Sequence, residues 1–342
     1  MPLTRFPYGV SSFGAPIMPG PGVIPTVSST QGQGVYFVNG DFGNDGYSGT
    51  SPQQCIKSLD VAYNKCAGGN NEIVYLIGGS AAVSYSSAIA SGGAGLLWSK
   101  NYTHLIGLNA GGMIGERSRI TAGATSATLL TPMIEFRGKG CLVQNVEFAN
   151  GGSHATSAAV SVLVTGARNA FVNCQISGGL DATTAGNAAC RSLVVSDAQG
   201  GGAADENYFN HCYIGLDTQS RTSTSSEVEF IGAGSTGIGR LVFENCIFSS
   251  YGTGGHFFLL YTGTNAIDRF SLFRGCQFIN SSLSGGTAMT YAFSIASTIG
   301  GLILLSNCLL FGATNTSATK TDTYFDNAYA TGTTAKAVIA GW

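Results

Sequence analysis

A short pattern of apolar and polar positions recurs along the second half of the chain. The copies occupy residues 143–148, 171–176, 209–214, 243–248, 273–278 and 305–310. Successive copies begin 28 to 38 residues apart, and repeats of 20–50 residues indicate a solenoid, a propeller or another array. The repeat therefore predicts one long domain built from similar units.

Each copy combines two inward apolar positions with one turn residue. The fourth position is cysteine in five copies and valine in one: Val146, Cys174, Cys212, Cys246, Cys276 and Cys308. The position before it holds Asn145, Asn173, His211, Asn245, Gly275 or Asn307. Asn and Gly accept a left-handed backbone conformation at the lowest cost, with His next among other residues. A strand, one left-handed residue and a second strand form a sharp corner, whereas antiparallel hairpins do not repeat the same frame six times.

The pattern thus predicts an all-β protein, a right-handed single-stranded parallel β-helix, with an N-terminal extended arm and an N-terminal capping helix. We divide the chain into an arm at 1–34, an opening strand, turn loop and capping helix at 35–71, coils at 72–312 and a C-terminal cap or tail at 313–342. The strands predicted before and between the repeats lie at 73–77, 103–108, 119–121, 133–136, 160–164, 193–196, 228–231, 257–261 and 291–295.

The predicted capping helix begins at Ser51-Pro52, because serine is a favoured N-cap and proline fits the first helical position. It ends at Gly68-Gly69, since glycine commonly follows the last helical turn. An amphipathic helix at this position would cover the open end of the solenoid. Asp41, Asn44 and Asp45 precede it, and we assign them to turn chemistry rather than to a calcium site.

Residues 1–34 contain six of the eight prolines, in a run rich in Gly, Ser and Thr. Proline at this density excludes a helix or a central strand, yet the run is too apolar for an ordinary solvated linker. We therefore expect an extended arm that docks onto another surface, with a disordered leader as the alternative. The predicted contact residues are Arg5, Phe6, Tyr8, Phe13, Ile17 and Met18.

The composition limits which partners and which cysteine or metal chemistry we expect. The net charge is −2 and only 10% of residues are charged, so we expect neither a nucleic-acid nor a membrane partner. Nine cysteines are present, and five of them share one inward column, which favours a stack of free thiols over disulfides. Zinc-type spacings are absent from the sequence. No secretory signal is visible, so we expect assembly in a reducing cytoplasm, with no cofactor and no metal.

The sequence contains no motif of an established catalytic site. The carboxylates that could pair across coils are Asp181, Asp197, Asp205, Glu206, Asp217, Glu227, Glu229 and Glu244. None forms a defined pair. Among the four histidines, we assign His211 to the turn and His104 to a structural role, and we place His154 and His256 in loops with no metal-site spacing. From this evidence we expect a protein that is not an enzyme.

Two segments resemble known proteins. Residues 38–66, VNGDFGNDGYSGTSPQQCIKSLDVAYNKC, look like the module that opens many extracellular and phage-encoded right-handed β-helix proteins. The N-terminus, MPLTRFPYGVSSFGAPIMPG, resembles the N-termini of tailed-phage virion proteins. The resemblance implies a homotrimeric decoration, cement or head-spike protein on the capsid of a phage particle. Its partners would then be further copies of itself and the major capsid protein or another virion protein, contacted through the arm.

Two other functions stay open at this point. A tailspike, a receptor-binding β-helix that acts on host surface polysaccharide, predicts a groove of aromatic and carboxylate side chains. A secreted lyase or adhesin of non-viral origin is a third reading, and the missing signal and site motifs disfavour it.

Overall fold

The computed structural model describes residues 34–317 except 87–88, 90–92, 110–117, 123–129, 153–158, 198–203, 222–224, 234–236, 283–287 and 296–299. Outside this span it describes 11–12, 15–16, 323–325 and 336–337. The predicted contact residues of the arm, Arg5, Phe6, Tyr8, Phe13, Ile17 and Met18, lie outside the described residues, as does His154.

Three parallel sheets run along the molecule, and each coil contributes one strand to each sheet in turn. The eleven-stranded sheet, called the long sheet below, contains β3 (Val35–Val38), β4 (Glu72–Ile77), β6 (Thr103–Leu108), β9 (Leu142–Gln144), β12 (Ala170–Val172), β15 (Tyr208–Asn210), β18 (Leu241–Glu244), β21 (Phe270–Arg274), β24 (Leu302–Ser306), β27 (Thr323–Phe325) and β28 (Lys336–Ala337). The eight-stranded sheet contains β5 (Leu96–Trp98), β8 (Ile134–Phe136), β11 (Val160–Val164), β14 (Arg191–Ser196), β17 (Ser226–Ala233), β20 (Phe257–Thr264), β23 (Met289–Ile295) and β26 (Ala313–Ser317). The seven-stranded sheet contains β7 (Arg119–Ala122), β10 (Glu147–Asn150), β13 (Gln175–Gly178), β16 (Tyr213–Arg221), β19 (Ile247–Gly252), β22 (Gln277–Asn280) and β25 (Leu309–Phe311).

The predicted right-handed parallel β-helix is therefore confirmed. A coil passes from the eight-stranded sheet to the long sheet, then to the seven-stranded sheet and back. Outside the solenoid, β1 (Ser11–Ser12) and β2 (Ala15–Pro16) form a short antiparallel pair. No helix among the described residues is long and apolar enough to cross a membrane.

The corner between the long and seven-stranded sheets is built by the repeated turn residue. Asn145, Asn173, His211, Asn245, Gly275 and Asn307 all have positive φ, between 50° and 62°. The backbone amides of the first five bond to the next coil, as when Asn173 N donates to the Asn210 carbonyl at 2.9 Å. The side-chain Nδ2 of Asn173 donates to Asn145 Oδ1 at 2.8 Å. The turn thus links coils through both its backbone and its side chains.

Two inward columns flank this corner and fill the core. In the long sheet, Phe171, Phe209, Phe243 and Phe273 lie in register, and their rings stack with centroids 4.5 to 4.9 Å apart. Parallel ladders place identical side chains directly above one another, which favours this stacking. Burying each phenylalanine contributes on the order of 1.5–3 kcal/mol.

The second column consists of the repeated cysteines, all of which are free thiols. Each Sγ donates to a carbonyl oxygen of the preceding coil, for example Cys212 to Phe171 at 3.4 Å and Cys246 to Phe209 at 3.5 Å. Cys308, in the last repeat, is only half-buried. The column behaves as small apolar core with weak hydrogen bonds.

The capping segment differs from its prediction in where the helix begins. A 3-10 turn covers Pro52–Gln54, and the α-helix α1 spans only Leu59–Lys65. Between them, Ile56 forms a parallel bridge with Val38 and its amide donates to the Phe37 carbonyl at 2.8 Å. Pairing with β3 therefore holds these residues extended, and this tertiary contact overrides the local start signal.

The helix nevertheless covers core at this end of the solenoid. Leu59, Ala62 and Tyr63 are buried, and the Tyr63 ring lies 4.4 Å from the Trp98 ring, centroid to centroid. Lys100 Nζ donates to the carbonyls of Tyr63 and Cys66 at 2.8 and 2.6 Å, which satisfies the free carbonyls at the helix C-terminus.

A second left-handed corner joins the eight-stranded sheet to the long sheet. Tyr102, Gly140, Arg168, Glu206 and Arg240 occupy it in five adjacent coils, with φ between 51° and 66°. Their amides donate along the column, from Arg168 N to the Asp205 carbonyl at 2.9 Å and from Glu206 N to the Gly239 carbonyl at 2.9 Å. We call these five residues the corner ladder. The third connection, from the seven- to the eight-stranded sheet, carries longer loops, including the short helix α2 (Ala182–Ala185).

Candidate functional site

The outer face of the long sheet carries a polar cluster formed by Tyr208, Asn210, Glu244 and Arg274. Strand alternation explains their position, because each lies next to a phenylalanine that points into the core. Tyr208 and Asn210 flank the inward residue of β15, and Asn210, Glu244 and Arg274 are register partners on adjacent strands. Three coils thus bring residues distant in sequence onto one small patch.

Glu244 is the centre of this cluster. Its Oε2 accepts from the Tyr208 hydroxyl at 2.5 Å and from Asn210 Nδ2 at 3.3 Å, while its Oε1 accepts from Arg274 Nη1 at 3.3 Å. The Glu244 side chain is 26% exposed. The hydrogen bond from Tyr208 and the charge of Arg274 hold the pKa of Glu244 below its usual value. Burial and the bond to Glu244 raise the pKa of Tyr208, so Tyr208 is the donor and Glu244 the ionised acceptor.

Apolar side chains surround the cluster on the same face. Val172, Val242 and Leu272 are outward-facing and only partly buried. Nearer the N-terminal end, Ile73, Ile106, Tyr75 and Leu142 pack together, and the Tyr75 ring stacks on Phe37 at 5.5 Å between centroids. The face therefore joins flat apolar surface to an ionised carboxylate with amide and guanidinium donors. These groups match a ligand that presents both C–H surface and hydroxyl groups.

A second constellation is buried where the seven- and eight-stranded sheets meet. Ser225 Oγ lies 2.7 Å from His256 Nδ1, and His256 Nε2 lies 3.4 Å from Glu227 Oε1. This chain of contacts from a serine to a histidine to a glutamate has the residue types of a catalytic triad, with a nucleophile, a base and an orienting carboxylate. All three residues are fully buried, so no substrate reaches this serine in the structure.

The surroundings of Glu227 explain this buried group as a polar network. Its carboxylate accepts from Ser192 Oγ and Ser250 Oγ, both at 2.9 Å, and from Arg221 Nη2 at 3.3 Å. Burial alone would raise the pKa of Glu227, but Arg221, the nearby His256 and the hydrogen bond from Ser250 hold that pKa below its usual value. Burial lowers the pKa of His256, which the contact with Glu227 only partly opposes. Glu227 is thus a buried ionised group that Arg221 neutralises.

The other carboxylates singled out in the sequence have separate roles. Asp181 caps α2, Asp205 accepts the Gly239 amide at 2.7 Å and Glu229 pairs with Arg191 at 2.9 Å. Asp197 is buried, whereas Asp217 is exposed on β16. The structure therefore brings none of these five into the cluster around Glu244.

The histidines that the structure describes do not assemble a metal site. His104 Nδ1 accepts the Leu142 amide at 3.0 Å, and burial lowers the pKa of His104. His211 lies at its predicted turn and contacts Asn210 Oδ1. Across the described ranges, no group of three His, Cys, Asp or Glu residues is placed to hold a metal ion. Asn44 accepts the Gly46 amide within the turn, whereas Asp45 accepts the amides of Lys57 and Ser58 and Asp41 those of Ser80 and Ala81, so these two aspartates tie the turn to distant segments.

Sequence reasoning singled out Glu244 but missed its partners. Tyr208, Asn210 and Arg274 occupy outward positions beside the repeated phenylalanines, and that alternation was the available signal. It says that a side chain faces outward without saying which outward side chains touch, because the loops between coils differ in length.

No protein-family model and no curated protein matches this chain. Among solved structures, it is similar to a pectin methylesterase in complex with hexasaccharide VII, with a TM-score of 0.47 and 15% identity over 83% of this chain and 93% of that one. It is also similar to the pectin methylesterase from Aspergillus niger, with a TM-score of 0.45 and 13% identity over 85% and 83% of the two chains. A third match, PemA from Erwinia chrysanthemi, has a TM-score of 0.38 and 15% identity over 84% and 69%. At this identity the likeness concerns the fold alone.

One sequence-based expectation is corrected by this comparison. The missing motifs led us to expect a protein that is not an enzyme; the matched solved structures contradict this expectation, since they are those of enzymes, pectin methylesterases, and the expectation is withdrawn. The phage-particle assignment stays a prediction.

Proposed function

We propose that this protein acts on a polysaccharide that lies along the outer face of the long sheet. In this proposal, the ionised carboxylate of Glu244 contacts the sugar as a hydrogen-bond acceptor or base. Asn210 and Arg274 supply donors to its hydroxyl groups, and Tyr208 positions Glu244. This is the function of the tailspike alternative raised from the sequence.

The proposal rests on one observation, that Glu244 is ionised and accessible to solvent. Its lowered pKa keeps it ionised, and 26% of its side chain stays open to solvent. An ionised carboxylate on an exposed, partly apolar sheet face is available to a ligand, in contrast to the buried Glu227. The parallel strands also offer the same outward rows over several coils, which suits a polymer with repeating units.

The test uses a panel of purified bacterial surface polysaccharides, with methyl-esterified pectin as one member. Binding is measured by affinity electrophoresis, and turnover by release of reducing ends and of methanol. We expect Glu244→Gln to weaken binding of the polysaccharide that the wild type recognises by about tenfold or more, equal to about 1.4 kcal/mol, and to lower turnover with it.

Glu135→Gln is the matched control. Glu135 lies on the outer face of the eight-stranded sheet, where it pairs with Arg137 at 2.8 Å and accepts from Thr165 Oγ1 at 2.6 Å. This substitution removes the same charge and similar hydrogen bonds on a different sheet from Glu244. Equal effects of the two substitutions, or no binding by the wild type across the panel, would refute the proposal.

The more specific virion hypothesis is a separate proposal. Its supporting residues, among them Arg5, Phe6 and Phe13, lie outside the described part of the chain. We propose that residues 1–34 attach a trimer to a phage capsid shell. Deleting them should leave a folded β-helix that no longer binds shells, and retained binding would exclude the arm.

A further inference from the structure

The corner ladder runs along the edge of the long sheet, beside the proposed polysaccharide face. Glu206 lies two residues before Tyr208 on the same coil, and Arg240 lies four residues before Glu244 on the next. Tyr102 N donates to the Lys139 carbonyl and Gly140 N to the Ala167 carbonyl, and each of these hydrogen bonds connects successive coils. The ladder therefore extends parallel to the solenoid axis.

Its backbone conformation is costly for most of its residues. A left-handed residue other than glycine costs on the order of 1–2 kcal/mol. The other corner of the same sheet avoids much of this cost by using mainly asparagine and glycine, which tolerate the conformation best. In the ladder, Gly140 shows that glycine meets the backbone requirement, yet Tyr102, Arg168, Glu206 and Arg240 adopt the same φ region. Backbone strain of this kind concentrates at functional sites.

Three of the four non-glycine residues in this left-handed conformation, Tyr102, Arg168 and Arg240, have exposed side chains. Tyr102 is 49% exposed and lies against Gly140, where an added Cβ would meet the Tyr102 ring at 2.6 Å. The Arg168 side chain is 72% exposed and that of Arg240 is 47% exposed. The ladder thus presents an aromatic ring followed by two guanidinium groups at the surface.

Glu206 joins the two arginines and fixes their spacing. It accepts from Arg168 Nε at 2.6 Å and from Arg240 Nη1 at 2.7 Å. Each guanidinium uses one nitrogen for this bond, which leaves further N–H donors on its exposed side. Two neighbouring acids have partners of their own: Asp205 accepts the Gly239 amide and Asp268 pairs with Arg269 at 3.0 Å.

We infer that the corner ladder is a subsite for acidic polysaccharide, in which Arg168 and Arg240 bind carboxylate or sulfate groups and Tyr102 packs against a sugar ring. This inference rests on the proposed function, which makes the ligand a polysaccharide. It adds that the polysaccharide is negatively charged. Planar guanidinium groups recognise such anions through paired hydrogen bonds. Ligand binding would explain the strained backbone, because it requires charged side chains at positions where the backbone conformation favours glycine.

The test variant is Arg168→Gly with Arg240→Gly. We compare it with the wild type by affinity electrophoresis in hyaluronate, dextran sulfate and uncharged dextran, at low and high salt. The wild type should be retarded by at least one acidic polymer more than by dextran, and salt should weaken that retardation. The double variant should bind the acidic polymer about tenfold more weakly or worse, while its unfolding midpoint stays unchanged or rises because strain is relieved.

Lys57→Gln with Lys65→Gln is the charge-matched control, since both lysines are exposed on the capping segment. This control should bind like the wild type. Equal retardation by dextran and the acidic polymers, unchanged binding in the double glycine variant, or a marked fall in its stability would each overturn the inference. If the acidic preference is absent but Glu244→Gln still reduces polysaccharide binding, the ladder inference fails and the proposed function stands.

Discussion

The Tyr208 hydroxyl donates to Glu244 Oε2 across 2.5 Å, from one coil of the long sheet to the next. This bond is the first cause of the lowered pKa of Glu244. It joins an outward tyrosine to an outward carboxylate 36 residues later. Replacing Tyr208 should therefore change the pKa of Glu244, and a change in the pH dependence of ligand binding would reveal it.

Tyr208→Phe should move the acid limit of ligand binding to higher pH. Glu244 has a lowered pKa, so its ionised form is present above that pKa and is lost as pH falls through it. Removing the hydroxyl brings the pKa back toward the ordinary value of about 4.3, and binding should then fail at a less acidic pH. The pH profile of polysaccharide binding tests this. An acid limit that Tyr208→Phe leaves in place would show that Glu244 does not contact the ligand.

The buried His256 should make the fold less stable in mild acid. Its folded pKa is lowered by burial, so the unfolded chain takes up a proton more readily. The stabilisation from neutral His256 is complete above the unfolded pKa of about 6.5 and decreases as pH falls below it. Urea unfolding at neutral and mildly acidic pH should show this loss in the wild type and a smaller loss in His256→Gln.

His211→Asn is the control for this experiment. His211 is exposed at a corner where other coils carry asparagine. Its replacement should leave the pH dependence intact, and an equal change in both variants would argue against His256 as the source.

Arg221→Met should destabilise the protein by about 3–5 kcal/mol, because it leaves Glu227 as an uncompensated buried charge. The double variant Arg221→Met with Glu227→Gln should recover part of this loss, since no buried charge remains. Chemical denaturation of the wild type, both single variants and the double variant gives the coupling. Simple additivity would mean that the two groups do not interact in the folded state.

The thiol column predicts a graded reactivity. The contact with Cys276 and burial raise the pKa of Cys308, and burial raises the pKa of Cys212 and Cys246, so access to reagent and not ionisation sets the order of reaction. In native protein, an aromatic disulfide reagent should modify Cys308 first, because it is the one cysteine that is only half-buried. All nine thiols should react after unfolding, and Cys308→Ser should remove the fast native phase. A fast phase that persists in Cys308→Ser would contradict the prediction that Cys308 reacts first.

Much of the architecture could be predicted because it depends on repeated local choices. Asn145 and Asn173 mark a left-handed corner, and the alternation around Phe171 and Cys174 assigns the inward side chains. These choices follow from backbone sterics and burial, which act on each coil in the same way. The helix start was misplaced because Ile56 pairs with β3, and a contact between segments outweighs a local cap signal.

The candidate site was less accessible to sequence reasoning. Glu244 was on the list of carboxylates, but its partners lie one coil away, at distances in sequence that depend on loop length. The same holds for Ser225 and His256, whose contact joins residues 31 positions apart. The corner ladder was missed because arginine and glutamate carry no signal for a left-handed conformation.

The sequence by itself determined the coil, its asparagine corner and its phenylalanine and cysteine columns, because a side chain's own size and backbone preference decide those features. Only the tertiary structure decided which surface groups meet, that Glu227 is buried beside Arg221, and that Arg168, Glu206 and Arg240 form one line. Stacking of coils through loops of unequal length sets these contacts, and no residue encodes that register alone.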